Sequence, residues 1–314
     1  MEFRTVGPKN AETMRVSLVG LGCNAFGRRI DEKQSIEVVH AALDAGITFF
    51  DTAESYGDGK SESWLGKGLG KRRKDAVIAT KFGWGVLHAR GKGGGSRANI
   101  EKAVEGSLKR LGTDWIDLYQ LHRPDSSTPI AETLDALDDL VRAGKVRFVG
   151  CSNFSGAQLA DAAQVAAARK RTPFVTAQNE YNVLDREIEG DLLPVCRANN
   201  VRVLPYYPIA RGLLTGKYRR GQAAPKGSRL DGSLSGTDFA MIEALEKFAT
   251  ARGHTLLDLA MSWLAGKPET ASVISGASRP EQTAQNAAAA AWRMTKEELA
   301  EIDRIVLGRA AVSD

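Results

Sequence analysis

Short apolar runs alternate with longer amphipathic segments along the whole chain. The runs fall at residues 17–20, 48–51, 77–81, 116–122, 146–151, 176–179, 202–206 and 272–275. Between them apolar residues return at three- and four-residue spacing, as in Ile100, Val104, Leu108 and Leu111, or Leu134, Leu137 and Val141. That is the period of a helix with one buried face. Strands alternating with such helices predict a parallel sheet covered by helices, and eight strands is the count of a closed (β/α)8 TIM barrel. The first fifteen residues precede the first run and predict an N-terminal hairpin plugging the barrel bottom, with extra helices expected in the C-terminal part. Asp31-x-x-Gln34, Ser155-x-x-Gln158 and Thr295-x-x-Glu298 read as capping boxes. Thr128 and Pro129 read as a capping hydroxyl before a proline at the first helical position, with Gly144 closing that helix.

Composition narrows the class. The chain has 314 residues, 43% hydrophobic and 26% charged, as expected of a soluble globular protein. No linker divides it, so residues 1–314 are expected to form one barrel domain. No apolar stretch approaches the roughly 20 residues of a membrane span. The start lacks the basic and apolar regions of a signal peptide, which points to the cytoplasm. Cys23, Cys151 and Cys196 form no C-x-x-C pair and are expected to be reduced packing residues, the first two near strand ends. The net charge is +5, but the one compact basic run, Lys71-Arg72-Arg73-Lys74, has no interleaved aromatics. Nucleic-acid binding therefore lacks support, whereas a modest positive balance suits an anionic cofactor. His40, His88 and His254 look structural, no His/Asp/Glu spacing argues for a metal, and no Gly-x-Ser-x-Gly elbow is present.

The chemistry sits at the downstream ends of the apolar runs. Asp51, Lys81 and His122 each end one, and Tyr56 follows Asp51 by five positions. In a parallel barrel the carboxyl ends of the strands share one face, so the four side chains can meet there. Singly, each has a structural explanation as ion pair, packing residue or cap. Together a phenol, an ammonium, a carboxylate and an imidazole can hand a proton to a polarised carbonyl oxygen. A nearby ammonium favours the phenolate and is expected to lower the phenol pKa from about 10. Two Gly-rich stretches, 82–96 and 210–238, follow strands and belong on the same face, where they could enclose a substrate.

Gly20-Leu21-Gly22-Cys23-Asn24-Ala25 matches G-x-G-x-x-A, the fingerprint of a Rossmann dinucleotide site. The context is wrong for one. The next helix starts near Asp31, and Asp51 comes too late to be the ribose-binding acid. The glycines instead let backbone approach a barrel mouth.

The segment from Gly46 to Gly57 (GITFFDTAESYG), the Ala79-Thr80-Lys81 run and the Gly112 to His122 segment (GTDWIDLYQLH) resemble, in order, the signatures of the aldo-keto reductase family. The resemblance covers essentially the whole chain. It implies an eight-stranded barrel and metal-free, NADPH-dependent reduction of aldehydes or ketones. It further implies Tyr56 as general acid, Lys81 as the partner lowering its pKa, Asp51 as the anchor of the lysine and His122 as the group orienting the carbonyl. For the cofactor it implies Ser152, Asn153 and Gln178 at the carboxamide, Tyr206 against the nicotinamide ring, and Ile209, Arg211, Gly212 and Leu213 along the pyrophosphate. Gly276, Ser278, Arg279, Gln282 and Asn286 match the adenosine and 2′-phosphate region, while Gly22 and Asn24 lie at the mouth. Phe26 and Trp84 resemble pocket-wall positions.

Ser275 and Gly276 stand where relatives carry proline and lysine, so Arg279 and Ser278 would have to hold the 2′-phosphate. NADP(H) is favoured over NAD(H). A small-molecule carbonyl or alcohol is the expected partner, and the oligomeric state is not readable. Because the family resembles potassium-channel β subunits, a non-enzymatic nicotinamide-binding regulatory subunit is the alternative reading. A phosphate-binding barrel isomerase or lyase is a third.

Overall fold

A computed structural model describes residues 1–8, 12–84, 93–226, 230–232 and 234–308. Strands β1 (Phe3–Val6) and β2 (Met14–Ser17) pair antiparallel as the expected hairpin. The barrel strands are β3 (Val19–Gly22), β4 (Phe49–Asp51), β5 (Val77–Phe82), β6 (Ile116–Leu121), β7 (Val146–Ser152), β8 (Thr176–Gln178), β9 (Arg202–Val203) and β10 (Val273–Gly276). They form one eight-stranded sheet in the order β10-β3-β4-β5-β6-β7-β8-β9, parallel throughout. Isolated parallel bridges, Val203 to Thr270 and Tyr206 to Ile274, close the ring between β9 and β10. The fold is a (β/α)8 barrel.

Val6, Met14 and Val16 of the hairpin share an apolar cluster with Phe49, Leu118 and Phe148 of the barrel strands. A second, larger cluster lies between the sheet and the outer helices. Those helices are α1 (Glu32–Asp44), α2 (Lys60–Leu69), α3 (Arg97–Leu111), α4 (Ile130–Arg142), α5 (Gly156–Arg169) and α6 (Leu192–Ala198). The C-terminal part adds α7 (Phe239–Thr250), α8 (Leu256–Ala265), α9 (Pro280–Ala289) and α10 (Lys296–Leu307).

Departures from the sequence reading have local causes. The first run, expected at 17–20, is split by Ser17. Its hydroxyl donates to the Val19 carbonyl at 2.7 Å and accepts from the Thr48 and Phe49 amides at 3.0 and 3.1 Å. The hairpin ends there, and the barrel strand starts two residues on. The run at 202–206 is regular strand only over Arg202–Val203. Leu204 and Tyr206 still donate to the Ala177 and Asn179 carbonyls, while Pro205 between them has no N–H to offer. All three expected capping boxes form, at Asp31, Ser155 and Thr295. Thr128 does not cap α4. Its hydroxyl donates to Asp125 at 2.7 Å, and Pro129 is the cap residue rather than the first helical one.

Helices α2 and α3 cross at Gly66, where an added Cβ would run into the Leu111 carbonyl. Backbone cannot yield as a flexible side chain does. Gly66→Ala is expected to lower stability by about 1–3 kcal/mol, read as a shifted urea midpoint; an unchanged midpoint would show that the crossing relaxes freely.

Candidate active site

The strand ends converge as a parallel barrel requires. Asp51 is the last residue of β4, Lys81 lies one residue before the end of β5, and His122 directly follows β6. The Lys81 ammonium is fully buried and Asp51 is 3% exposed. Lys81 Nζ donates to both Asp51 oxygens at 2.7 Å and to the Thr52 carbonyl at 2.9 Å. The Tyr56 hydroxyl stands 3.4 Å from the same nitrogen. An ammonium only donates, so the phenol oxygen accepts from it and the phenol proton is left for another partner. The Tyr56 and His122 rings meet edge to face, with centroids 5.9 Å apart.

Burial sets the protonation states. It pushes the Tyr56 phenol above its ordinary value, Lys81 pulling the other way without prevailing. The expected net lowering is therefore absent, because desolvation of a phenolate outweighs one cation at 3.4 Å. Burial also opposes the Lys81 charge, but Asp51 and Tyr56 override it and hold the ammonium above its usual range. Burial, followed by the charges of Lys81, Arg123 and Arg28, holds His122 well below the ordinary imidazole range. The ring is neutral at pH 7, and its Nδ1 is buried without a hydrogen-bond partner, the kind of exception that marks a functional group.

Next to the quartet lies a polar shelf from three neighbouring strands. Gln178 Nε2 donates to Asp51 at 2.8 Å, and Ser152 Oγ donates to the Gln178 carbonyl at 2.8 Å. Asn153 holds a left-handed backbone, φ 61°, and its amide nitrogen donates to the His122 carbonyl at 3.0 Å. The Tyr206 hydroxyl donates to Asn153 Oδ1 at 2.8 Å.

A cleft of about 530 Å³ opens over this floor, within the usual range for a ligand site. It is lined by Asp51, Tyr56, His122 and Trp84, and by the expected cofactor positions Gly22, Asn24, Ser152, Asn153, Gln178, Tyr206, Ile209, Arg211, Gly212, Gly276, Ser278 and Gln282. Lys81 lies beneath the floor.

Other expected positions lie elsewhere. Phe26 is fully buried in the helix-side core and is no pocket wall. Leu213 packs against the same core, so it is not on the cleft lining. Arg279 and Asn286 also lie off that lining, Arg279 exposed at the start of α9 and Asn286 buried against the Gly276 carbonyl. The backbone amides of Ser278 and Arg279 are taken by Gln282 Oε1 at 2.8 and 3.2 Å.

The chain's own groups fit a nicotinamide dinucleotide. The shelf offers amide donors and acceptors beside the proton-bearing quartet. Ala210, Arg211 and Gly212 have consecutive positive φ angles, 45°, 58° and 106°. The Ala210 and Gly212 amides donate to the Tyr207 and Ile209 carbonyls, so the Arg211 guanidinium is the group this curl offers an anion.

Sequence reasoning missed Arg28, Arg29, Arg123, Glu180, Tyr207 and Lys217 on the lining. Only Arg123, directly after His122, carried a readable signal. Cys23 and Cys151 are buried, with thiols pushed well above their usual range chiefly by burial, and Cys196 is pushed up to about 12. His88 and the glycines at 85 and 91 lie outside the described residues. Among the described residues no His/Cys/Asp/Glu group is placed to hold a metal, and no helix is long and apolar enough to cross a membrane.

The aldo/keto reductase family model matches residues 18–307. The chain is 36% identical over 320 residues to aldo-keto reductase YhdN of Bacillus subtilis (strain 168), covering 98% of this chain and 94% of that protein. It is 34% identical over 300 residues to a probable voltage-gated potassium channel subunit beta of Oryza sativa subsp. japonica, covering 91% and 90%. Among solved structures, the glycerol dehydrogenase AKR11B4 from Gluconobacter oxydans matches with TM-score 0.82 and 32% identity, over 97% of this chain and 95% of that one. The chain belongs to the aldo/keto reductase family.

Removing one member of the buried pair strands the other charge. Lys81→Met and Asp51→Asn are each expected to cost about 3–5 kcal/mol of stability. The double variant should lose less than the sum of the two. Urea unfolding of the four proteins checks this; additive losses would mean that the two groups are not coupled.

Proposed function

We propose that this protein is an NADP(H)-dependent oxidoreductase that reduces aldehydes or ketones to alcohols, reversibly, on small-molecule substrates. The observation that carries the reading is the Lys81 ammonium fixed between the Asp51 carboxylate and the Tyr56 hydroxyl on the cleft floor. When bound, the dihydronicotinamide supplies the hydride for the carbonyl carbon. Ser152, Asn153 and Gln178 would hold its carboxamide and Tyr206 its ring. Ile209, Arg211 and Gly212 would follow the pyrophosphate. Ser278 and the Arg279 guanidinium would serve the 2′-phosphate.

Tyr56 holds its proton at pH 7 and gives it to the carbonyl oxygen as negative charge develops there. The difficulty lies in the phenolate left behind in a buried place. Lys81 answers it, since its charge is present before the reaction and needs no reorganisation to act. Asp51 keeps that charge in position. Neutral His122 offers an N–H to the same oxygen without competing for the proton.

Tyr56→Phe is expected to reduce kcat by about 10²–10⁴-fold, with NADPH affinity by fluorescence quenching close to that of the parent protein. Full activity against an aldehyde panel would remove Tyr56 as the proton donor. The potassium-channel β relatives favour a second reading, a regulatory subunit that binds the nicotinamide without turnover. Tight NADPH binding with no consumption across the panel would favour it. Arg279→Ala is expected to weaken NADPH more than NADH; equal losses in the two titrations would deny the guanidinium its 2′-phosphate role.

A further inference from the structure

We propose that the cleft selects carbonyl substrates carrying a second, anionic group, a carboxylate or a phosphate, and that Arg28 and Arg123 hold that group. The proposal rests on the reductase reading and names its substrate class.

The charges on the cleft do not balance. Asp51 is committed to Lys81, and Glu180 to Arg211 at 2.9 Å. Arg28, Arg29, Arg123 and Lys217 line the same cleft and are exposed, and no carboxylate among the described residues pairs with any of them. Arg28 and Arg123 are the two set against aromatic rings of the cleft and felt at His122. Neither is loose. Arg28 donates to the Ser55 carbonyl at 3.1 Å, and its guanidinium carbon stands 5.7 Å from the Tyr56 ring centroid. Arg123 follows His122 directly and stacks over Trp84 at 4.5 Å. A carbonyl dipole and an aromatic face orient a guanidinium without neutralising it, and most of its five N–H donors remain unspent. Both charges are felt at His122, whose protonation they oppose.

One guanidinium thus stands against the Tyr56 ring and the other against Trp84, both on the cleft and both within electrostatic reach of His122. The positions proposed for the cofactor phosphates follow β9 and β10, whereas Arg28 follows β3 and Arg123 follows β6. A neutral aldehyde gains nothing from these uncompensated cations. An anionic one gains charge-assisted hydrogen bonds and a field that raises its local concentration.

The test compares matched aldehydes, succinic semialdehyde with butanal and glyceraldehyde 3-phosphate with glyceraldehyde. The proteins are the parent chain, Arg28→Gln, Arg123→Gln and the double variant. The anionic member of at least one pair is expected to show a kcat/KM on the order of tenfold higher or more. The ratio should fall towards one in the double variant and as ionic strength rises. The pair with the larger ratio tells carboxylate from phosphate. Equal kcat/KM within both pairs, equal loss of both members in the double variant, or weakened NADPH binding in that variant would overturn the proposal.

Calorimetric titration of succinate and glycerol 3-phosphate into the NADPH complex reads the same site without turnover. Binding that is lost in the double variant supports the anion site even if no aldehyde is reduced. No binding of either anion overturns it even if butanal is a good substrate.

Discussion

A lysine ammonium with no exposed surface is the constraint around which the rest of the barrel mouth is arranged. Isolated in an apolar interior, such a group would shed its proton rather than stay charged. Here four oxygens share its three N–H donors, the nearest being two of Asp51 and the Thr52 carbonyl. They come from β4 and the residue after it, while Lys81 comes from β5, and the pairing of Asp51 with Ala79 sets the stagger between the strands. Barrel register and site electrostatics are therefore one problem. Tyr56, at 3.4 Å, is the fourth and longest partner, left with a proton it can direct into the cleft.

The same burial acts differently on each neighbour. It raises the Tyr56 phenol and the Cys23 thiol, and it lowers the His122 imidazole. Each of these groups is thereby kept neutral, and Lys81 remains the cation of the floor. Lowering a donor's pKa in the resting protein is only one route to proton transfer. A group that keeps its proton until charge appears beside it, with a fixed cation ready for the conjugate base, reaches the same end. The sequence reading assumed the first route, and the arrangement of Tyr56 and Lys81 suits the second.

Much of the fold was legible, because a parallel barrel repeats one local signal: a short apolar run, then a helical period. The polar residues ending those runs were legible for the same reason, since chain order and strand direction already place them on one face. The errors fall where a side chain had a choice of partners. Ser17 serves Thr48 and Phe49 across the sheet, Thr128 serves Asp125, and Gln282 serves Ser278 and Arg279. No periodicity announces such bonds. Resemblance alone puts Phe26 at the pocket wall, and in the turn after β3 its ring packs into the core instead. Arg28 went unread because a charge on a loop is ordinarily solvated.

The division of labour between strands and loops also bears on how this barrel specialises. Asp51, Lys81 and His122 lie on or beside strands whose positions the whole ring fixes, and the close packing beneath them leaves little room to vary. The guanidiniums lie on loops, held by a backbone carbonyl and a ring face, and either can change without disturbing the register. Chemistry written on the strands is shared across a fold of this kind, and choice of substrate falls to the loops. Arg28 and Arg123, on the loops after β3 and β6, are where this barrel mouth carries charge that no carboxylate among the described residues offsets.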